Sequence, residues 1–153
     1  MPPMKAGKSP AFCFVPIMAH CKLCRMALFR TDSLVFFYSN VEAAKQWWMS
    51  AFDCKAMNVP PEWDNPLASD VALKLPGYSE PTILLSDRTE AEQAGLGQSS
   101  TVAPIIFCSK LSKAQEWFSD HGIVAGPIQE DSETQFFEIR DVEGNSIEIC
   151  KEP

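Results

Sequence analysis

The chain has 153 residues, of which 46% are hydrophobic and 22% are charged, and its formal net charge at pH 7 is −7. This length suits one domain with a sizeable core or two small modules that share a core. The acidic balance, with no basic stripe to displace phosphate counterions, argues against non-specific nucleic-acid binding. We therefore expect no nucleic-acid partner and a preference for cationic or neutral ligands.

Residues 1–31 form an N-terminal extension whose structure the pattern predicts poorly. Its apolar stretch Ala11–Ala19 resembles part of a secretory signal peptide, but Pro16 interrupts it and no small-x-small cleavage site follows. Lys22 and Arg25 end the apolar run far short of a membrane span. We therefore expect neither a signal peptide nor a membrane partner.

The six cysteines do not indicate a secreted disulfide framework. Cys108 and Cys150 lie in apolar strand patterns, where reduced cysteine packs as a small hydrophobe, so we expect a cytoplasmic protein. Cys21 and Cys24 form a single C-x-x-C motif. A zinc site would need two more ligands nearby, and a redox motif would need a flanking strand and helix, so unpaired thiols are the simpler interpretation.

Regular patterning begins at residue 33. Ser33–Ser39 predicts a strand, and Ser39 with Glu42 forms a capping box before an amphipathic helix. Three further strand candidates are Cys54–Met57, Asp70–Leu75 and Thr82–Ser86. The proline-rich loop between the first two carries Trp63, which could close over a ligand or pack at a subunit interface.

The same order of elements then repeats. After a polar connector, the chain predicts a strand at Val102–Cys108, a helix that ends at Gly122, and three strands near Ala125–Gln129, Gln135–Arg140 and Ser146–Cys150. A constant shift of 70 positions matches Phe37 with Phe107, Ser39 with Ser109, Val41 with Leu111, Ala44 with Ala114, Trp47 with Trp117, and Trp48 with Phe118. An ordered set of matches indicates an internal repeat. The predicted division is a first βαβββ module at 32–87, a connector at 88–101 and a second module at 102–153.

The segment Phe136–Cys150 predicts two strands joined by a tight turn, in which Gly144 can take a positive φ. Beyond the turn, Ile147 and Ile149 alternate with Glu148, the two-residue period of a strand with one apolar face. Glu148 therefore faces either open water or a cavity. In a cavity it would anchor a basic ligand or a metal.

A repeated βαβββ unit that ends in a D-x-[DE]-G-N turn and an x-I-E-[IL] strand resembles the vicinal oxygen chelate superfamily. That superfamily contains glyoxalase I, extradiol dioxygenases, fosfomycin-resistance enzymes and bleomycin-binding proteins. The resemblance covers residues 32–152 and departs from the usual motif at Val142, where proline is common. It implies an α+β fold in which two βαβββ modules in tandem form a half-barrel with an internal cleft.

Members of the superfamily that use a metal place His or Glu near the start of the first strand of each module and a carboxylate in each last strand. In this chain the strand openings are Ser33 and Ala103, and the last strand of the first module offers only Asp87 at its end. Of the four positions, Glu148 alone keeps a ligand residue type. We therefore predict no metal site and no cofactor, while a metal held by unaligned residues stays an alternative.

Strand alternation and the resemblance together place one set of residues on the cleft face of the two sheets. The predicted ligand-binding residues are Ser33, Val35, Phe37, Trp63, Ala103, Ile105, Phe107 and Glu148. The aromatic rings could stack on a flat ligand or merely fill the barrel, and Glu148 could neutralise a positive charge. Trp47, Trp48, Trp117 and Phe118 are predicted to pack helix against sheet, and any exposed member is a candidate contact in a homodimer.

Three functions fit this sequence. The first is a small-molecule-binding protein of the glyoxalase/bleomycin-resistance type that sequesters an aromatic or cationic compound. The second is a metal-dependent lyase, isomerase or transferase. The third is a metal-free enzyme with Glu148 as its catalytic general base, which requires burial to raise the pKa of that carboxyl. An interaction module with a filled pocket is also compatible with the sequence.

Overall fold

The computed structural model describes residues 28–31, 33–60, 67–96 and 103–153. The predictions for Trp63 and for Cys21 and Cys24 lie outside these ranges. The strands are β1 (Phe29–Arg30), β2 (Leu34–Tyr38), β3 (Lys55–Met57), β4 (Val71–Lys74), β5 (Ile83–Asp87), β6 (Ile105–Cys108), β7 (Gln129–Glu130), β8 (Gln135–Arg140) and β9 (Ser146–Lys151). The helices are α1 (Val41–Phe52), α2 (Arg88–Gln93) and α3 (Leu111–Asp120). Of these helices, none is long and apolar enough to cross a bilayer.

The strands form two sheets that repeat one topology. The four-stranded sheet has the order β2-β5-β4-β3, and the five-stranded sheet has the order β1-β6-β9-β8-β7. In each βαβββ unit the first strand pairs parallel with the last, and the other pairings are antiparallel. The described strands leave the barrel open. The predicted α+β half-barrel of two βαβββ modules is therefore confirmed.

A two-residue strand, β1, joins the two modules. It pairs antiparallel with β6, and the chain then continues into β2 of the other sheet. The Thr31 hydroxyl donates to the Ile105 carbonyl at 3.2 Å, and the Thr31 amide donates to the Tyr78 hydroxyl oxygen at 3.2 Å. Residues 29–31, which fall in the segment predicted as an extension, thus belong to the sheet structure and tie the first module to the second.

The core lies on the helix side of both sheets. Phe52 at the end of α1 packs against Phe118 of α3, with ring centroids 5.3 Å apart, and Phe29 contacts both rings. The Trp117 indole N–H donates to the Ala51 carbonyl at 2.7 Å. Each large side chain that is fully buried contributes roughly 1.5–3 kcal/mol of transfer free energy. Because these contacts cross from one module to the other, the two modules share one core.

Two local predictions were wrong. The N-cap of α1 is Asn40, not Ser39: the Asn40 side chain accepts from the Ala43 amide at 3.0 Å. The Ser39 amide donates instead to Glu143, at 2.7 Å, in the turn between β8 and β9. The strand predicted near residues 125–129 is shorter and later, at Gln129–Glu130. Before it, the loop meets β8 through the hydrogen bond that the Gly126 amide donates to the Glu138 carbonyl, which is not continuous strand pairing.

The connector predicted at 88–101 begins with a helix. Asp87 caps α2, accepting from the Glu90 amide at 2.9 Å. The Glu90 carboxylate in turn accepts from the backbone amides of Ala68 and Ser69. These hydrogen bonds attach the start of the connector to the chain that leads into β4.

Candidate functional site

The cleft face is the surface of both sheets opposite the helices. On this face Val35 is 54% exposed and Ile105 is 41% exposed, whereas the next residues, Phe36 and Ile106, are buried against the helices. Val35 and Ile105 occupy the same place in the two repeats. A pair of equivalent, uncovered aliphatic side chains at the centre of the fold marks an apolar surface that a ligand could cover.

The other predicted residues of the cleft face fall into two groups. Phe37 shares β2 with Val35 and is half-buried, and the exposed Ser33 directly precedes β2. Phe107 is half-buried beside Cys150 of β9, and the half-buried Ala103 precedes β6. The hydrogen bond from Thr31 to Ile105 brings the start of the first group next to the second.

Glu148 lies in the middle of the second module's cleft face. It is half-buried, with Ile105 as its register partner on β6 and Glu138 as its partner on β8. Two carboxylates directly opposite each other on one sheet face repel, at a cost of roughly 0.2–1 kcal/mol. The Ser146 hydroxyl donates to Glu138 at 3.0 Å. This wall of the cleft therefore carries a concentrated negative charge.

Glu138 was missed at the sequence level, although a signal was present. The residues of β8 and β9 pair symmetrically about the turn from Asp141 to Asn145, so counting outward from that turn pairs Glu138 with Glu148. Through this pairing, Glu138 on β8 lies directly opposite Glu148 on β9, the residue predicted to anchor a ligand.

Cys150 orients the Glu148 carboxylate. Its thiol donates to Glu148 at 3.1 Å. Burial, together with the hydrogen bond to Glu148, raises the pKa of the Cys150 thiol to about 12. Cys150 is therefore a neutral donor near pH 7 and not a nucleophile.

The turn that precedes β9 is anchored on the first module. The Glu143 carboxylate accepts from the amides of Ser39 and Asn40, at 2.7 and 3.0 Å, and forms an ion pair with Arg88 at 3.2 Å. Next to it, burial and a hydrogen bond with Asp141 raise the pKa of the Tyr38 phenol. These contacts fix the start of β9, the strand that carries Glu148, to the end of β2 in the other sheet.

The donor set does not fit the divalent ion that many vicinal oxygen chelate proteins bind. By register, the first-module counterparts of Ile105 and Glu148 are Val35 and Leu84. Three of these four side chains are hydrocarbons, and Glu148 with the neighbouring Glu138 gives only two carboxylates, too few ligands to fix a first-row ion. Within the described ranges, no group of three or more His, Cys, Asp or Glu residues is arranged to hold a metal.

Two cavities lie away from the predicted residues. One of about 460 Å³ is bordered by Trp47, by the loop from Gly122 to Gly126 and by the β8 segment Glu138–Arg140. A second of about 230 Å³ lies between Asp53, Lys55 and the turn near Tyr78. None of the predicted site residues lines either of them, although Glu138, which lies opposite Glu148, borders the first.

No family model and no curated protein sequence matches this chain. Its fold matches solved structures over most of its length. One is a lactoylglutathione lyase from Agrobacterium tumefaciens, with a TM-score of 0.56 and 15% identity over 80% of this chain and 92% of that chain. A second is a glyoxylase/bleomycin resistance protein/dioxygenase domain from Frankia sp. EAN1pec, with a TM-score of 0.55 and 15% identity over 81% and 98%.

A third similar structure is an integron cassette protein from the mobile metagenome of the Halifax Harbour sewage outfall. Its TM-score is 0.59 at 9% identity, over 80% of this chain and 98% of that chain. The chain thus has the vicinal oxygen chelate fold, as its closing motif predicted. Identities this low establish the fold and leave the chemistry to the site itself.

Proposed function

We propose that the chain is a small-molecule-binding protein whose cleft takes an apolar or aromatic cation. The observation that carries the proposal is the juxtaposition of Ile105, which is uncovered, with Glu148 and Glu138 on neighbouring strands. A ligand with a flat apolar body and a positive charge would cover Ile105 with its apolar body and neutralise the two carboxylates with its charge.

Electrostatics supports a cationic ligand over an anionic one. The ion pairs of the described residues join Arg30 to Glu152, Lys45 to Glu42 and Arg88 to Glu143, so none of them neutralises Glu138 or Glu148. A bound cation would offset the repulsion between these two carboxylates and add its own attraction to each. An anion would meet the same two charges as a barrier.

The alternative functions have less support. The hydrocarbon side chains at Val35, Leu84 and Ile105 do not favour the metal-dependent lyase, isomerase or transferase. A general-base role would use the same Glu148 carboxylate, but of its two polar neighbours Glu138 is a second carboxylate and Cys150 a neutral thiol, and neither supplies a positive charge that would stabilise a developing anion. A homodimer and a cytoplasmic location stay predictions.

The proposal can be tested with two fluorescent probes of opposite charge. Thioflavin T is a planar benzothiazolium cation, and 8-anilinonaphthalene-1-sulfonate is an apolar anion of similar size. We expect the protein to bind thioflavin T and to bind the sulfonate more weakly. Glu138→Gln and Glu148→Gln should each weaken thioflavin T binding, whereas Glu133→Gln, which removes the same charge from an exposed turn, should not. Equal binding of both probes by every variant would contradict the proposal.

A further inference from the structure

The charges of this chain are divided very unevenly along the sequence. Residues 1–27 contain four basic residues and no acidic ones. All 20 acidic residues and the other nine basic residues follow, so residues 28–153 carry a formal charge of −11. The basic segment also contains the apolar run Ala11–Ala19, followed by Lys22 and Arg25. This segment therefore has an apolar part that could cover Val35 and Ile105 and a cationic part that could neutralise Glu138 and Glu148.

The entry point of the chain lies close to the acidic wall. The Leu28 carbonyl accepts from the Ser109 amide at 3.3 Å, which places Leu28 beside the end of β6. Ser109 is four residues beyond Ile105, or about 13 Å along the strand, and β9 lies about 10 Å from β1, two strand spacings away.

These two displacements put Glu148 about 16 Å from Leu28. Lys22 is six residues from Leu28, and an extended chain of that length reaches about 20 Å. Arg25 is three residues from Leu28, about 10 Å of extended chain, and its long side chain covers the remaining distance.

We propose that residues 11–25 bind in the cleft of their own chain, with Lys22 and Arg25 against Glu138 and Glu148 and the apolar run over Val35 and Ile105. These residues lie outside the described ranges. The proposal rests on the proposed function, because it makes this segment the internal competitor of a cationic small molecule. A tethered segment competes at an effective concentration of about millimolar, so even weak contacts suffice.

The other cations on the cleft face make their contacts elsewhere. Arg140, two residues along β8 from Glu138, donates to the Gly144 carbonyl at 3.1 Å. Arg30 shares that face with Phe107 and pairs with Glu152 at 3.4 Å. Lys55 and Lys74 lie opposite each other on β3 and β4, at the outer side of the first module. The acidic wall of the second module is therefore open to the segment that enters beside it.

Zero-length cross-linking of the full-length chain tests the placement. A carbodiimide joins a lysine amine to a carboxylate only when the two are in contact, and peptide mapping identifies the pair. We expect an amide between Lys22 and Glu138 or Glu148. An equal mixture of unlabelled and nitrogen-15-labelled chains should show that both partners come from one chain. Cross-links from Lys22 only to other carboxylates, or only between two copies, would overturn the proposal.

A charge-reversal pair tests the competition. Lys22→Glu with Arg25→Glu should raise the affinity for thioflavin T by about tenfold, because the competitor is released from the cleft. Lys5→Glu with Lys8→Glu makes the same change of charge outside residues 11–25 and should raise the affinity much less. Equal increases in the two double variants would indicate a general charge effect and overturn the proposal.

The two proposals fail in different ways. If neither the wild type nor the Lys22→Glu, Arg25→Glu variant binds thioflavin T, but the Lys22 cross-link to Glu138 or Glu148 forms, small-molecule binding is wrong and the internal contact holds. If the probe binds the wild type and both double variants equally and no such cross-link forms, the internal contact is wrong and small-molecule binding holds.

Discussion

The two modules share one backbone pattern and differ in charge at matched positions. In the first module, the residues that meet across β2, β5 and β4 on the cleft face are Val35, Leu84 and Ala72. The matched residues across β6, β9 and β8 in the second module are Ile105, Glu148 and Glu138. The repeat thus fixes which positions meet, and two substitutions make the centre of one wall acidic while the centre of the other stays apolar.

This asymmetry predicts the kind of ligand. A symmetric pair of acidic walls would favour a metal ion or a dication, and a symmetric apolar pair would favour a neutral ligand. One apolar wall facing one acidic wall suits a molecule that is apolar on one side and positively charged on the other. The comparison can be tested first through the core that the modules share.

The largest expected effect comes from Phe52, whose ring joins α1 to α3. Phe52→Ala should lower the free energy of unfolding by about 3–5 kcal/mol, because it leaves a cavity among Phe29 and Phe118. Chemical denaturation monitored by tryptophan fluorescence and by circular dichroism would measure this loss. We expect the two signals to change together, with Phe52→Leu as the milder control. Separate transitions would mean that the modules do not share one core.

The next effect concerns the turn that fixes the acidic wall to the first module. Glu143→Ala should lower the free energy of unfolding by about 1–3 kcal/mol, since the amides of Ser39 and Asn40 and the Arg88 guanidinium lose their acceptor. Thermal unfolding would measure it. Glu133→Ala, in an exposed turn, is the control and should change stability little. Equal losses in the two variants would rule out an anchoring role for Glu143.

A smaller effect appears at alkaline pH. Burial raises the pKa of Cys150 to about 12, above the value of 9.0 for a free thiol. Because the unfolded chain loses this proton first, stability is full below about pH 9 and falls as pH rises toward 12, by up to about 1.4 kcal/mol per pH unit. Cys150→Ala should flatten the fall in the free energy of unfolding, measured by denaturation between pH 8 and pH 10.5. An unchanged slope would contradict the raised pKa of Cys150.

The smallest change in stability is expected at the acidic pair itself. Glu138→Gln removes one of two repelling charges and should raise the free energy of unfolding by roughly 0.2–1 kcal/mol. Glu133→Gln, which removes a charge from an exposed turn, is the comparison and should change the free energy of unfolding little. Denaturation at low ionic strength would measure the difference, which added salt should reduce. Destabilisation by Glu138→Gln would mean that the two carboxylates do not repel.

Local patterns were enough to predict most of the fold. The two-residue period of Ser146–Cys150 and the helical spacing around Trp117 each indicate an element with one buried face. The strand β9 and the helix α3 form where these patterns predict them. The closing turn and the repeat then supplied the topology. These patterns can be recognised in the sequence because each is repeated over several residues.

The features that were missed depend on contacts between distant residues. The β1 strand has only two residues, too few for a period, and its role depends on pairing with β6. Ser39 has the residue type of a cap, but its amide is taken by Glu143, 104 positions away. Glu138 became part of the site only through its register with Glu148.

The most direct test of the asymmetric cleft compares two matched positions in one titration. Thioflavin T affinity should fall by about tenfold in Glu148→Gln, the equivalent of losing one charge-assisted contact of about 1.4 kcal/mol, with the thermal midpoint kept. Leu84→Met, at the same place in the first module, keeps an apolar side chain of similar volume and should leave the affinity within about twofold, because no charge is lost there. Equal affinities in the wild type and in Glu148→Gln would contradict the claim that the acidic wall of the second module holds a cation.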